Sequence, residues 1–334
     1  MSICKLTFTL FCGKIYQKEE KMVELTEFKE MLKGVTAIMV TPYTDEGEVS
    51  EERLRNHINF LIEGGLTKGN GIIVTTGSMG ECGAMSWEER KKVLEIAIRV
   101  ADGRVPIVAG CNGTNIKEIV DLAQYAEKVG AAGIMLMSPY YFYPPDEVIL
   151  DFFQKVASSI RIGIMLYNNA HIVRKDLSVS LISRLSEIEN VVAIKECTPD
   201  FTKFIQLVQE VGEKIVVLNG NAEFWEPFAK MAGSPGFISG TINFAPQLVM
   251  ELWRLREKED FDAAMKLRFK LSSLLNFWSE VCTKYGPSIE PSLLKGAAGL
   301  VGSPVGPVRL PVPKFDENEK EQLKKIIDDL GLID

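Results

Sequence analysis

The sequence has few of the side chains from which metal and disulfide sites are built. Among its 334 residues are two histidines, His57 and His171, and neither lies four residues from another metal-ligating side chain in a pattern that builds a zinc site. The six cysteines are scattered without a Cys-x-x-Cys pair, and a chain of this length does not need disulfides to be stable. We therefore expect reduced thiols, a cytoplasmic location and a reaction that uses neither a metal ion nor another cofactor.

The chain also lacks an excess of positive charge and a long apolar run. Lys and Arg total 38 against 45 for Asp and Glu, a net charge of -7, which provides no field to hold a nucleic-acid backbone or an anionic membrane. No stretch approaches the roughly 18 consecutive apolar residues of a membrane span. The short apolar run at residues 3–13 lacks the basic region and cleavage site of a signal peptide. We expect residues 1–21 to be a dispensable N-terminal extension, with a membrane anchor as the alternative.

From residue 34 onward, short apolar runs alternate with amphipathic stretches that are typical of helices, such as 88–100 and 116–129. The runs are about 29 residues apart, the length of one β-plus-α unit. Several are apolar at nearly every position, as in parallel strands that are covered on both faces. The eight strand candidates are 34–41, 71–76, 105–110, 133–138, 162–167, 191–195, 215–218 and 236–240.

This alternation predicts an α/β fold, a (β/α)8 TIM barrel over residues 22–257, followed by a C-terminal helical region at 258–334. An open doubly wound sheet is the alternative, but no Gly-x-Gly-x-x-Gly follows the first strand to support a dinucleotide site. The predicted helices after the last strand are 246–258, 260–281, 288–300 and 317–330.

In TIM barrels the active site lies at the carboxyl ends of the strands, so the residues that end each apolar run are the candidates. The sixth run ends in Lys195. A lysine there is either a solvated cap or an amine in an apolar pocket, where desolvation lowers its pKa and makes it a nucleophile toward carbonyl groups. The fifth run ends in Tyr167, whose hydroxyl can move the proton that imine formation requires.

Two further strand ends carry polar or aromatic loops. The second run opens into residues 77–81, Gly-Ser-Met-Gly-Glu, a turn whose backbone N–H groups and Ser78 hydroxyl can receive a carboxylate. The fourth run opens into residues 138–145, an aromatic loop that forms either a pocket wall or a subunit interface.

Together these segments resemble the class I aldolases of the dihydrodipicolinate synthase and N-acetylneuraminate lyase type. The resemblance extends from Gly34 to the C-terminus. Residues 77–81 look like the family's Gly-[Ser/Thr]-Thr-Gly-Glu turn, and Ser-Pro-Tyr-Tyr at 138–141 looks like its Thr-Pro-Tyr-Tyr segment. Tyr-Asn at 167–168 and Ile-Lys-Glu at 194–196 match its remaining motifs.

The resemblance implies a lyase in which Lys195 forms a Schiff base with pyruvate or another 2-oxo acid. The second substrate is then of the aldehyde type. Tyr167 is then the proton donor and acceptor, connected through Ser78 to Tyr141 of a neighbouring subunit in a homodimer or homotetramer. The remaining implied substrate-binding positions are Gly77 and Met79 in the turn, and Gly220 and Ile238, whose backbone lines the pocket.

The chain departs from the family pattern at two positions. Met79 replaces the usual threonine of the turn. Ile172 stands where the lysine-biosynthesis synthases carry an arginine that grips the carboxylate of the second substrate, and an apolar side chain cannot pair with a carboxylate. Arg174 substitutes for that arginine only if the loop is shifted, and His171 is either a polar contact to the second substrate or a surface residue.

These departures leave four functions open. The first is a family lyase that acts on pyruvate or another 2-oxo acid. The second is the lysine-biosynthesis synthase itself. The third is a hydratase-aldolase for aromatic 2-oxo acids, which an apolar pocket suits. The fourth is a barrel that binds a 2-oxo acid without turning it over, and a nucleophilic lysine disfavours it because binding alone does not need one.

Overall fold

The structure, a computed structural model, describes residues 24–173 and 175–333. Eight parallel strands form a closed barrel in sequence order, and β1 closes it by pairing with β8. The strands are β1 Val35–Ile38, β2 Gly71–Thr75, β3 Ile107–Gly110, β4 Gly133–Met137, β5 Gly163–Asn168, β6 Val191–Glu196, β7 Val216–Asn219 and β8 Phe237–Ser239. The predicted TIM barrel is confirmed, and every predicted strand is present with slightly shifted ends.

Helices surround the barrel and continue beyond it. The helices up to the end of the barrel are α1 Leu25–Met31, α2 Glu51–Glu63, α3 Trp87–Ala101, α4 Ile116–Lys128, α5 Asp146–Ala157, α6 Ala170–Val173, α7 Val179–Leu185, α8 Phe201–Val211, α9 Ala222–Trp225, α10 Phe228–Met231 and α11 Pro246–Glu257. The C-terminal helices are α12 Phe261–Lys270, α13 Ser272–Tyr285, α14 Glu290–Leu300 and α15 Glu317–Asp329. Short 3-10 turns lie at Cys82–Ala84, Thr241–Asn243 and Pro287–Ile289.

One predicted helix is wrong in its length. The stretch 260–281 forms two helices, α12 and α13, which meet at Leu271. Leu271 is buried, so the apolar spacing runs through the break without marking it. At the junction the Ser272 hydroxyl accepts a hydrogen bond from Arg268 Nη1 at 3.4 Å.

The C-terminal helices have an apolar core of their own, which meets the barrel at the ends of its strands. Leu274, Trp278 and Leu293 belong to this cluster together with Val40 and Phe244, which follow β1 and β8. Met79, in the turn after β2, packs against both this cluster and the cluster inside the barrel. The helical region therefore covers part of the barrel mouth where the candidate site residues lie.

Within the described residues, none of the helices is long and apolar enough to cross a membrane. The predicted N-terminal extension at 1–21 lies outside the described residues.

His57 lies in α2 and is completely buried. Its Nδ1 is 3.0 Å from Ser303 Oγ, and its Nε2 is 3.0 Å from Asn243 Oδ1. These contacts connect α2 to the segments that follow β8 and α14. Burial lowers the pKa of His57 from 6.5 to about 4, although the hydrogen bond to Asn243 opposes the shift.

We predict that this histidine makes the fold sensitive to acid. Between pH 6.5 and pH 4 the unfolded chain binds a proton that the folded chain does not bind, so stability falls as the pH falls. The loss between pH 7 and pH 5 is about 2 kcal/mol. Urea unfolding at both pH values measures it: His57→Gln should lose this part of the pH dependence, and His171→Gln, on an exposed residue, should keep it. An equal pH dependence in His57→Gln and the wild type would contradict the prediction.

Candidate active site

Strands β5 and β6 bring Tyr167 and Lys195 together. The two residues are direct partners in the parallel register, and Lys195 Nζ lies 4.0 Å from the centroid of the Tyr167 ring. Both side chains are buried, with 4% of Lys195 and 2% of Tyr167 exposed. The predicted proximity of this lysine and this tyrosine is therefore present in the structure.

The next residue pair of the same strands fixes which way these side chains point. Asn168 Nδ2 donates to Glu196 Oε2 at 2.8 Å and to Asp176 Oδ1 at 2.9 Å. Lys203, from α8, forms ion pairs with both carboxylates. Because successive side chains of a strand point to opposite faces, this outer network directs Tyr167 and Lys195 to the inner face.

A cavity of about 530 Å³ opens above this pair at the carboxyl ends of the strands. Six of the residues proposed from the sequence line it: Met79, Tyr167, His171, Lys195, Gly220 and Ile238. A side chain at Gly220 has no room, because a Cβ there would lie 2.4 Å from the carbonyl oxygen of Glu196. Gly220 therefore lines the cavity with its backbone alone.

The charge on Lys195 differs from the sequence expectation. Burial acts to lower the pKa of the Lys195 amine, but its interactions with Tyr167, Cys197 and Glu290 outweigh burial, so that the pKa is raised. The expectation that the pocket lowers this pKa is thus wrong, because the pocket wall is not purely apolar. Lys195 is an ammonium group at neutral pH until a proton is removed.

Tyr167 remains a neutral phenol at the same pH. Burial raises its pKa, while the positive charge of Lys195 and a hydrogen bond to Ser78 oppose the shift. Asn169 Nδ2 donates to the phenol oxygen at 3.1 Å. The phenol therefore has a proton to donate, and its oxygen is held in place by the residue two positions later.

The turn after β2 has a strained backbone and a buried anchor. Thr76 and Glu81, at its two ends, have positive φ values of 50° and 58°, which non-glycine residues adopt only when their surroundings enforce it. Glu81 Oε1 forms an ion pair with Lys295 of α14 at 2.5 Å. Within the described residues, neither Ser78 nor Met79 donates its backbone N–H to a backbone carbonyl, so both groups remain available to a carboxylate.

The structure does not bring every candidate to the cavity. Ser78 does not line it, although this residue affects the pKa of Tyr167. Gly77 faces the barrel interior near Ile38 and Met135, and Ile172 packs against the cluster inside the barrel. Tyr141 is 74% exposed. Arg174 lies outside the described residues.

Several lining residues were not found from the sequence. Trp278 and Cys282 of α13 and Glu290 of α14 form the wall on the C-terminal side, and Asn169, Cys197 and Phe224 complete the barrel side. Asn169 and Cys197 each lie two residues after a chosen strand residue, so the strand-end rule could have found them. Nothing local marks Glu290, because only the packing of the C-terminal helices brings it to the barrel.

A buried lysine against a tyrosine, at the mouth of a TIM barrel and beside a turn with free N–H groups, defines a class of enzyme. The protein is a Schiff-base-forming lyase of the class I aldolase type.

Comparison with known proteins gives the family. The model of the dihydrodipicolinate synthetase family matches residues 31–330, and the chain belongs to that family. It is 34% identical over 305 residues to a 4-hydroxy-tetrahydrodipicolinate synthase of Methanocaldococcus jannaschii, covering 91% of this chain and 100% of the relative.

Solved structures agree with this assignment. Dihydrodipicolinate synthase from Aquifex aeolicus superposes with a TM-score of 0.82 at 30% identity, over 90% of this chain and 98% of the other. A prophage protein of the same family from E. coli K12, solved in complex with pyruvate, also gives 0.82 at 28% identity, with the same coverage of 90% and 98%.

Proposed function

We propose that the enzyme joins pyruvate to an aldehyde-type second substrate, or cleaves the corresponding product, through a Schiff base on Lys195. The observation that carries this proposal is the contact of Lys195 Nζ with the Tyr167 ring inside a cavity at the carboxyl ends of the strands. The pyruvate complex of the E. coli relative supports the choice of the first substrate.

In the proposed reaction the ammonium group of Lys195 first gives a proton to water, and the free amine then attacks the C2 carbonyl carbon of pyruvate and forms a carbinolamine. Tyr167 donates a proton to the departing hydroxyl, which leaves as water, and the C=N bond forms. The iminium draws electrons from C3, so that C3 gives a proton to the Tyr167 phenolate and becomes a nucleophilic enamine carbon. This carbon attacks the aldehyde carbon while Tyr167 returns the proton to the aldehyde oxygen, and water then hydrolyses the new imine and regenerates the amine and the 2-oxo group.

The turn and the neighbouring subunit complete the proposed site. The N–H groups of Ser78 and Met79 hold the carboxylate of pyruvate, and Gly77 lets the chain turn toward it. Ser78 passes protons between Tyr167 and Tyr141 of a partner subunit. His171 faces the second substrate from α6 after β5, with Ile172 packed behind it, while Gly220 and Ile238 shape the pocket through their backbones.

We expect Tyr167→Phe to slow imine formation by roughly 10² to 10⁴, the range for a general acid–base group. The ring that contacts Lys195 stays in place, so the fold and the pyruvate site remain. Rapid-mixing measurement of imine formation with pyruvate tests this, with Tyr140→Phe as the control, since Tyr140 does not line the cavity. A wild-type rate in Tyr167→Phe would remove its hydroxyl from the mechanism.

Reductive trapping tests the proposed first substrate. Borohydride reduces an imine to a stable amine, so the intact mass of the protein should increase by one reduced pyruvyl group after incubation with pyruvate. An adduct only with aromatic 2-oxo acids would instead support the hydratase-aldolase function. Tight binding of pyruvate without an adduct would support a binding-only barrel.

Exposed aromatic residues support a proposal about the assembly of the enzyme. Tyr141, Phe142 and Tyr143 are 74%, 73% and 61% exposed, an aromatic patch that fits burial in a homodimer or homotetramer.

The described cysteines, Cys82, Cys111, Cys197 and Cys282, are free, which fits a cytoplasmic enzyme. We also propose that the barrel, 22–257, and the helical region, 258–334, act as one unit, because both line the cavity.

A further inference from the structure

Glu290 lines the cavity, and the steps of the proposed reaction give it no role. It is the first residue of α14, directly after the turn Pro287–Ile289. Among the described residues that line the cavity it is the one carboxyl group. Lysine and tyrosine perform the imine chemistry and the turn after β2 holds the first carboxylate, so this carboxyl has no task in those steps.

The environment of Glu290 keeps its carboxyl facing the cavity. Its Oε1 accepts a hydrogen bond from Trp278 Nε1 at 3.2 Å, and this is its one hydrogen bond within the described part of the chain. Trp278 is itself packed in the C-terminal cluster, so it holds the carboxyl from one side. A half-buried carboxyl with a single donor retains further acceptor positions, and the space next to them is the cavity.

Glu290 and Lys195 each affect the pKa of the other. Burial raises the pKa of Glu290, and the positive charge of Lys195 lowers it; in return Glu290 contributes to the raised pKa of Lys195. Glu290 and Lys195 line the same cavity, so a substrate attached to the lysine can meet the carboxyl. An acceptor at that position stabilises a hydroxyl or ammonium group and repels a carboxylate.

We propose that Glu290 selects the second substrate by accepting a hydrogen bond from its hydroxyl group, so that uncharged hydroxylated aldehydes are preferred to acidic aldehydes. The proposal rests on the proposed pyruvate chemistry and adds a substrate class to it. Ile172 at the position of the family arginine agrees with it, since the chain does not place that carboxylate-binding residue there. Glu290 is on this account a specificity-determining residue.

A pair of aldehydes that differ in charge tests the proposal. The specificity ratio is kcat/KM for pyruvate with D-glyceraldehyde divided by kcat/KM for pyruvate with succinic semialdehyde. The wild type should favour D-glyceraldehyde, and Glu290→Gln should shift the ratio toward succinic semialdehyde about ten- to hundredfold, because the amide keeps the shape and removes the charge. Glu280→Gln, which removes the same charge from an exposed position of α13, should leave the ratio unchanged.

Three results would overturn the proposal: no use of D-glyceraldehyde by the wild type, a wild-type preference for succinic semialdehyde, or an unchanged ratio in Glu290→Gln. A misfolded variant lowers both rates together and leaves the ratio in place, so the ratio separates selection from general damage. Borohydride trapping of pyruvate is measured on the same samples. An adduct with an unchanged ratio rejects the role of Glu290 alone, whereas a missing wild-type adduct rejects the proposed function.

Discussion

Replacing Lys195 with alanine should abolish turnover and leave the fold intact. The variant removes the amine that forms the imine, and loss of a nucleophile costs about 10⁴ to 10⁶ in kcat in enzymes that depend on one. The truncated side chain borders the cavity, so water can fill the space and the barrel core keeps its volume. We expect a thermal midpoint within a few degrees of the wild type.

Steady-state rates and thermal melts of the same preparation measure both parts of this prediction. Lys68→Ala is the matched control, because Lys68 precedes β2 at the amino end of the barrel and its side chain is 59% exposed. That variant should keep wild-type activity. Substantial activity in Lys195→Ala would remove this lysine from the mechanism, and a large loss of stability would mean that its role is partly structural.

Replacing Lys295 with methionine should destabilise the protein by about 3 to 5 kcal/mol, the cost of leaving one partner of a buried ion pair without the other. Side-chain exposure is 3% for Lys295 and 0% for Glu81, and Lys295 Nζ also donates to the carbonyl of Pro307 at 2.8 Å. Glu81 accepts a second hydrogen bond, from the backbone N–H of Arg309 at 2.8 Å. The variant would leave the Glu81 carboxylate buried without its cation.

The same variant should weaken binding of the 2-oxo acid, because Glu81 ends the turn that presents Ser78 and Met79. We expect KM for pyruvate to rise in Lys295→Met. The double variant Glu81→Leu/Lys295→Met should regain part of the stability, since removing both charges removes the unpaired one. Denaturant unfolding and pyruvate kinetics measure these effects.

An exposed ion pair provides the control. Lys33→Met disrupts a pair with Glu30 in which the side chains are 48% and 63% exposed, and such pairs contribute about 0 to 1 kcal/mol. If Lys295→Met cost no more than Lys33→Met, the buried pair would not anchor the turn.

The barrel could be predicted from the sequence because its strands are short apolar runs at a regular spacing. Each run can be recognised from its own consecutive residues. Lys195 and Tyr167 could be chosen because each ends such a run, and the parallel register then makes them neighbours. The break at Leu271 could not be predicted, since a buried leucine continues the helical pattern of apolar residues.

Glu290 and Trp278 could not be found from the sequence for a different reason. They approach Lys195 only because the C-terminal helices fold back over the barrel mouth, a contact between distant parts of the chain. The direction of the Lys195 pKa shift also depends on neighbours from several parts of the chain. Burial alone predicted a lowered pKa, and interactions with Tyr167, Cys197 and then Glu290 reversed it.

The location of the reduced pyruvate adduct tests the central claim most directly. Wild-type protein is incubated with pyruvate and borohydride, digested, and its peptides are mapped by mass spectrometry. The account predicts one modified residue, Lys195, in the peptide that contains the end of β6. Modification of a different lysine, or no modification at any lysine, would contradict it.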